Sequence, residues 1–111
     1  MSIVKERLGE LQVLMQANTQ PIADIKALYR FSIKDTGEQL DIHIVDSTVS
    51  IGEAGHFASE PVCTISLSES DMLKLLDHQL NTTIAYMMGQ IKVEGKLGSA
   101  LKLLEALSEY K

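Results

Sequence analysis

The residues of this chain that could do chemistry are few, and their spacing suits none of the usual reactions. His43, His56 and His78 are 13 and 22 residues apart, with no partner at metal-ligand spacing. His43 and Asp41 share one face of an alternating segment, which offers at most a weak surface metal site. Cys63 falls in a strand-like pattern beside no obvious base, so a buried inert thiol is expected, not a nucleophile. No serine stands in a G-x-S-x-G elbow. Gly95-Lys96-Leu97-Gly98 precedes a helical pattern, as phosphate-binding turns do. It lacks the third glycine of the dinucleotide fingerprint and the Gly-Lys-Ser/Thr of the P-loop. It also mimics the GxxG loop of an RNA-binding KH domain, but that loop joins two helices and this one follows a strand pattern. A tight turn opening a helix explains it better. Glu6, Glu10, Glu105 and Glu109 are read as solvated helix faces. These residues point to a non-catalytic protein with no metal and no cofactor.

Composition narrows the class further. At 111 residues the chain is one domain, able to bury roughly two-thirds of its unfolded surface. Its apolar residues include no Trp, two Phe and five Met, a soft set that adapts to irregular space. The net charge of −5 argues against nucleic acid, whose binding needs Lys and Arg on phosphates. It also disfavours persistent binding to anionic lipid, leaving at most transient membrane contact. The lone cysteine allows no internal disulfide. Met1 to Arg7 lacks the apolar core of a signal peptide, and no apolar run approaches the ~20 residues of a membrane span. Ser108-Glu109-Tyr110-Lys111 is no peroxisomal address. A cytoplasmic location is expected.

The elements that must position any site follow from periodicity. Val4, Leu8, Leu11 and Leu14/Met15 predict an amphipathic N-terminal helix, broken near Gln20-Pro21. Alternation predicts strands at Tyr29 to Lys34, Leu40 to Ile44, Thr48 to Ile51 and Cys63 to Leu67, with turn chemistry at Asp35-Thr36-Gly37 and Asp46-Ser47. Read together, these four strands form an antiparallel meander with one buried and one wet face. Ser68 and Asp71 resemble a capping box opening a helix whose apolar side is Met72, Leu73, Leu75, Leu76 and Leu80. Asn81-Thr82-Thr83 caps a short helical turn through Ile84, Tyr86 and Met87. A fifth strand at Ile91 to Glu94 leads into a last helix from about Leu97 to Glu109. The sum is a single α+β domain over 1–111, with helices on one face of a five-stranded, mainly antiparallel sheet.

Leu97, Ala100, Leu101, Leu103, Leu104, Leu107 and Tyr110 cover about half the circumference of that last helix, wider than the ~100° needed to face a core. The surplus has three readings: a fully packed core, the lining of a lipid-sized tunnel, or a face for dimerisation. Met87-Met88-Gly89-Gln90-Ile91-Lys92-Val93-Glu94-Gly95-Lys96-Leu97-Gly98 resembles the Met-x-Gly, alternating, Gly and Leu-Gly segment of the sterol carrier protein type 2 family. Thr64 to Leu73 is similar to that family's strand-to-helix junction, and the order of elements agrees from end to end, as in a small stand-alone, prokaryote-like member.

The resemblance implies a tunnel between sheet and helices that binds and carries a fatty acid, fatty acyl-CoA or sterol-like lipid. The lining it implies is Leu11, Leu14 and Met15 from the first helix and Phe31, Ile33, Ile42 and Ile44 from the sheet. Met72, Leu76, Ile84, Met87, Met88, Leu101 and Leu104 complete it, with Arg30 or Lys34 available to an anionic head. The alternative is a structural or interaction module, or an accessory subunit, that forms a homodimer or docks through its broad C-terminal helix.

Overall fold

The computed structural model describes residues 2–57 and 59–110; Met1, Ala58 and Lys111, the last position of the tail read above, lie outside the described residues. Helix α1 (Ile3–Ala17) leads through a single 3-10 turn (Gln20–Ile22) to strands β1 (Ala27–Ile33), β2 (Gln39–Val45), β3 (Thr48–Glu53) and β4 (Cys63–Leu67). Helices α2 (Glu69–Leu76) and α3 (Thr82–Met87), strand β5 (Lys92–Gly95) and helix α4 (Leu97–Leu107) complete the chain. The expected helices and strands are all present in the expected order. The 3-10 turn was not anticipated; Pro21 fits its first turn, where a missing N–H costs nothing.

The four-strand meander is not what forms. The sheet runs β3-β2-β1-β4-β5, with β4 parallel to β1 and every other pair antiparallel. Only β1, β2 and β3 make a meander. The segment after β3 then crosses back over the outer sheet face, and Val62 N–H donates to the Leu28 carbonyl at 2.8 Å, seating β4 beside β1. Local turn residues cannot reveal this, because a long connection after β3 suits a return to β1 as well as a hairpin.

The inner face of the sheet is apolar throughout. Tyr29, Phe31, Ile33, Leu40, Ile42, Ile44, Cys63, Ile65 and Leu67 are each at most 2% exposed. Alternation along each strand puts them on one side, with α1 packed over β3 and α4 packed over β4 and β5. Helix α1 starts where Ser2 Oγ accepts the Lys5 N–H at 3.1 Å, and it buries Val4, Leu8, Leu11 and Met15. Its glutamines close the β3 edge. Gln12 Nε2 donates to the Val49 carbonyl at 2.7 Å, and Gln16 Oε1 accepts the Val49 N–H at 2.8 Å. An edge whose polar groups are taken in this way offers little to a foreign strand.

At the other edge, the turn from β5 into α4 depends on Gly95. Its φ is +99°, and a Cβ there would sit 2.6 Å from the Val62 carbonyl oxygen. Gly89 also has positive φ, +81°, but faces open space. Replacing Gly89 with Ala should therefore cost about 1 kcal/mol from φ alone, and Gly95→Ala about 2–3 kcal/mol because φ and the clash add. Urea unfolding of the two variants measures the difference. Equal losses would show that the close approach to Val62 contributes nothing.

Candidate functional site

Helix α2 opens as expected, with Ser68 Oγ accepting the Asp71 N–H at 3.1 Å. It stops earlier than the apolar pattern suggested. Asp77 closes it and His78 takes a left-handed φ of 60°, turning the chain so that Leu80 lies beyond the helix. Asn81 Oδ1 then accepts the Ile84 N–H at 3.1 Å and starts α3. With six residues, α3 buries only Ala85. Helix α4 buries Ala100, Leu103, Leu104, Ala106 and Leu107, and Tyr110 Oη beyond it donates to the Asn18 carbonyl at 2.6 Å.

Where the end of α2, the start of α3 and the end of α4 meet, they leave a recess of about 280 Å³. Leu75, Leu80 and Leu104 give it apolar walls; His78, Thr82 and Ser108 give it a polar rim. Leu75 and Leu104, 6% and 2% exposed, belong to the main apolar cluster, together with Met15, Phe31, Ile42 and Met72. The recess is thus a notch in the core's surface. A larger, more open concavity, about 1140 Å³, lies by the start of α1, lined by Ile3, Lys5 and the glutamates Glu6, Glu38, Glu53 and Glu69, none of them part of the buried core.

The residues expected to line a tunnel divide into two groups instead of surrounding one open channel. Leu11, Met15, Phe31, Ile33, Ile42, Ile44, Met72 and Leu104 are buried, and Leu76 is partly buried against them. Leu14, Ile84, Met87, Met88 and Leu101 face solvent, Met87 and Met88 at 78% and 72% exposure. The cause is helix geometry. Ala85 is the inward position of α3, which turns Ile84, Met87 and Met88 away from the core. On α1 Met15 takes the inward position, leaving Leu14 outside. Leu75, Leu80 and the polar rim were missed as lining. The one available signal was Asp77-His78 followed by Asn81, residue types that tolerate left-handed backbone and start helices.

The polar candidates are already engaged. Asp41 is fully buried, accepting from Arg30 Nε at 2.8 Å, Arg30 Nη2 at 3.2 Å and the Gly55 N–H at 3.2 Å. Hydrogen bonding to Asp41 holds the Arg30 guanidinium above its usual range. The supposed surface metal pair is thus broken up: Asp41 serves Arg30, and the His43 ring lies tilted against Phe57, with ring centroids 5.4 Å apart. Arg30 is not free for a ligand head; Lys34 is exposed. Among the described residues no three metal-ligating side chains gather. Cys63 is buried, which pushes its thiol up. Burial, with Cys63 nearby, pushes the Tyr29 phenol up to about 12.

The fold and this helix-roofed apolar interior place the chain in a known class. The model of the SCP-2 sterol transfer family matches residues 8–108, and the chain belongs to that family. It is 29% identical over 92 residues to stomatin-like protein 1 of Mus musculus, covering 81% of this chain and 23% of that protein. It is 28% identical over 92 residues to sterol carrier protein 2 of Gallus gallus, covering 81% and 17%. The chain thus spans less than a quarter of the length of these relatives. Among solved structures, palmitated SCP2L2 of Aedes aegypti superposes with a TM-score of 0.71 at 24% identity, covering 96% of this chain and 95% of that one. The sterol carrier protein 2 of Aedes aegypti in complex with palmitate gives 0.73 at 12% identity, covering both chains completely. These likenesses establish the fold, an α+β domain with a five-stranded, mostly antiparallel sheet.

Tyr29 offers a test of how dry the interior is. Its folded pKa lies above the unfolded value of about 10. Stabilisation from burying the neutral phenol is therefore complete below pH 10 and lost as pH rises through about 12. Tyr29→Phe should remove the last phenol seen in an ultraviolet absorbance titration and move alkaline unfolding to higher pH. A Tyr29 that ionises near pH 10 in the folded protein would contradict this burial.

Proposed function

We propose that this domain binds and carries a hydrophobic ligand with an acyl or sterol-like body, without catalysing a reaction on it. The observation that carries the reading is the recess between α2, α3 and α4, where Leu75, Leu80 and Leu104 lie beneath a polar rim and Leu75 and Leu104 belong to the Met-containing core. Family membership and the palmitate held by the two Aedes aegypti relatives support it. The recess, about 280 Å³, lies at the bottom of the roughly 300–1,000 Å³ of ordinary ligand pockets. A long chain therefore needs more room, and α3 is the element able to yield it, because moving α3 uncovers little besides Ala85.

On this reading Leu75, Leu80 and Leu104 meet the ligand first, while Met72, Leu76 and Met15 rearrange to extend the channel. Thr82 and His78 lie at the rim, where a ligand's polar end remains in contact with water. The driving force is removal of apolar surface from water. About ten buried methylenes supply ~8 kcal/mol, and lost freedom of ligand and protein removes several kcal/mol of that. Micromolar affinity with broad tolerance of chain length follows, which suits a carrier that must release its cargo. The reading as a docking module through α4 has less to recommend it, since α4 already buries most of its apolar arc in its own core. No described helix is long and apolar enough to cross a membrane; a cytoplasmic setting remains part of this proposal.

Titration with a fluorescent fatty acid, with palmitate as competitor, measures the binding. The parent protein should bind in the micromolar range. Leu104→Trp should fill the recess and weaken binding about tenfold or more while the far-ultraviolet circular dichroism is unchanged. A parent that binds no fatty acid at any soluble concentration, or a folded Leu104→Trp that binds as well as the parent, would refute the proposal.

A further inference from the structure

The polar end of any lipid held in the recess must lie against its rim. Among the described residues lining the recess, His78 alone can carry a charge; Thr82 and Ser108 are hydroxyls, and Leu75, Leu80 and Leu104 are apolar. The Ser108 hydroxyl donates to the Glu105 carbonyl at 2.6 Å, so its proton is already used. The donors left for a ligand are the His78 imidazole and the Thr82 hydroxyl, both partly buried. The backbone that presents the imidazole is held on both sides. His78 N–H donates to the Leu75 carbonyl at 3.1 Å and Gln79 N–H to the Lys74 carbonyl at 2.8 Å, across a left-handed φ of 60° at His78.

Building on the reading of this domain as a lipid carrier, we propose that His78 selects for an aliphatic carboxylate: the imidazolium pairs with the head, Thr82 donates to it, and the chain lies against Leu80 and Leu104. Such an acid is ionised above about pH 4.3, as a glutamate side chain is, and a histidine gives up its charge between about pH 5 and pH 8. The pair therefore forms in mildly acidic solution and is lost as pH rises. The other charges around the recess are paired or stand outside it. Asp77 is held by Arg7, which also meets Glu10 at 3.4 Å. Lys74, Glu105 and Glu109 are exposed and do not line the recess, and α3 carries no acid or base besides the Tyr86 phenol. A neutral alcohol head hydrogen-bonds to imidazole and imidazolium alike, so its binding does not follow pH. At a rim in contact with water, an ion pair adds up to about fivefold in affinity.

Displacement of an uncharged pyrene-labelled fatty alcohol by palmitate and by hexadecanol, at about pH 5.5 and about pH 8, near the two ends of the histidine range, tests this. The parent should bind palmitate about fivefold more tightly at the lower pH and hexadecanol equally at both. His78→Asn keeps a residue type that accepts left-handed backbone. It should lose the pH difference for palmitate and bind hexadecanol as the parent does. In proton NMR of the parent at the lower pH, the His78 imidazole signals should shift on adding palmitate and much less on adding hexadecanol. Those of His43 and His56, both set against Phe57, should move with neither. A parent whose palmitate binding ignores pH, or a folded His78→Asn that keeps the parent's pH dependence, would overturn the proposal while leaving lipid carriage intact. A parent that binds neither ligand would overturn both.

Discussion

Keeping the inner face of the sheet dry is the constraint on which this molecule is built. That face is apolar from Val49 on β3 to Val93 on β5, and two helices cover it from opposite edges, α1 over β3 and α4 over β4 and β5. Each buried apolar square ångström contributes about 25 cal/mol, so a gap between the covers would be costly unless filled. Met15 from α1 and Met72 and Leu75 from α2 are buried in this interior. Methionine suits such a place because its unbranched thioether repacks at little cost. On the proposed function, an interior so filled in the resting state opens for its ligand.

The tethers are distributed unevenly around this core. The start of α1 is capped by Ser2, its middle is bound to β3 through Gln12 and Gln16, and Arg7 pairs with Asp77 at the end of α2. The outer sheet face is closed by Arg30, Asp41 and the backbone of Gly55. The end of α4 is fixed to the end of α1 through Tyr110. Helix α3 has its own cap at Asn81, a turn at Gly89, and Ala85 in the core. Elements with so little buried area are those that open first. The recess walled by Leu75, Leu80 and Leu104 lies at the start of this helix.

Much of this was legible in the sequence, because the strand and helix periods are clean and the caps at Ser68 and Asn81 stand where their residue types say. The parallel pairing of β4 was not legible. It depends on where the loop after Glu53 crosses, and on Arg30 and Asp41 lying opposite each other beneath that loop, which alternation alone reads as a wet face. The site was half legible. The inward sheet residues and Leu104 were evident from pattern. Ile84, Met87 and Met88 were read as lining because they are apolar at helical spacing, but a helix this short can bury only one narrow stripe, and Ala85 occupies it. Leu80 was assigned to α2 because its apolar spacing continues past Asp77-His78, where the chain turns left-handed and leaves the helix.

The account rests on α3 being a weakly held cover over an interior that opens for a ligand. Amide hydrogen exchange resolved by residue, with and without saturating palmitate, tests it most directly. The amides of Ala85 to Met88 should exchange far faster than those of Leu103 to Leu107 in the free protein, and should slow when palmitate is added. If α3 is as protected as α4 without ligand, and palmitate changes neither helix, the cover does not move and the interior is solid.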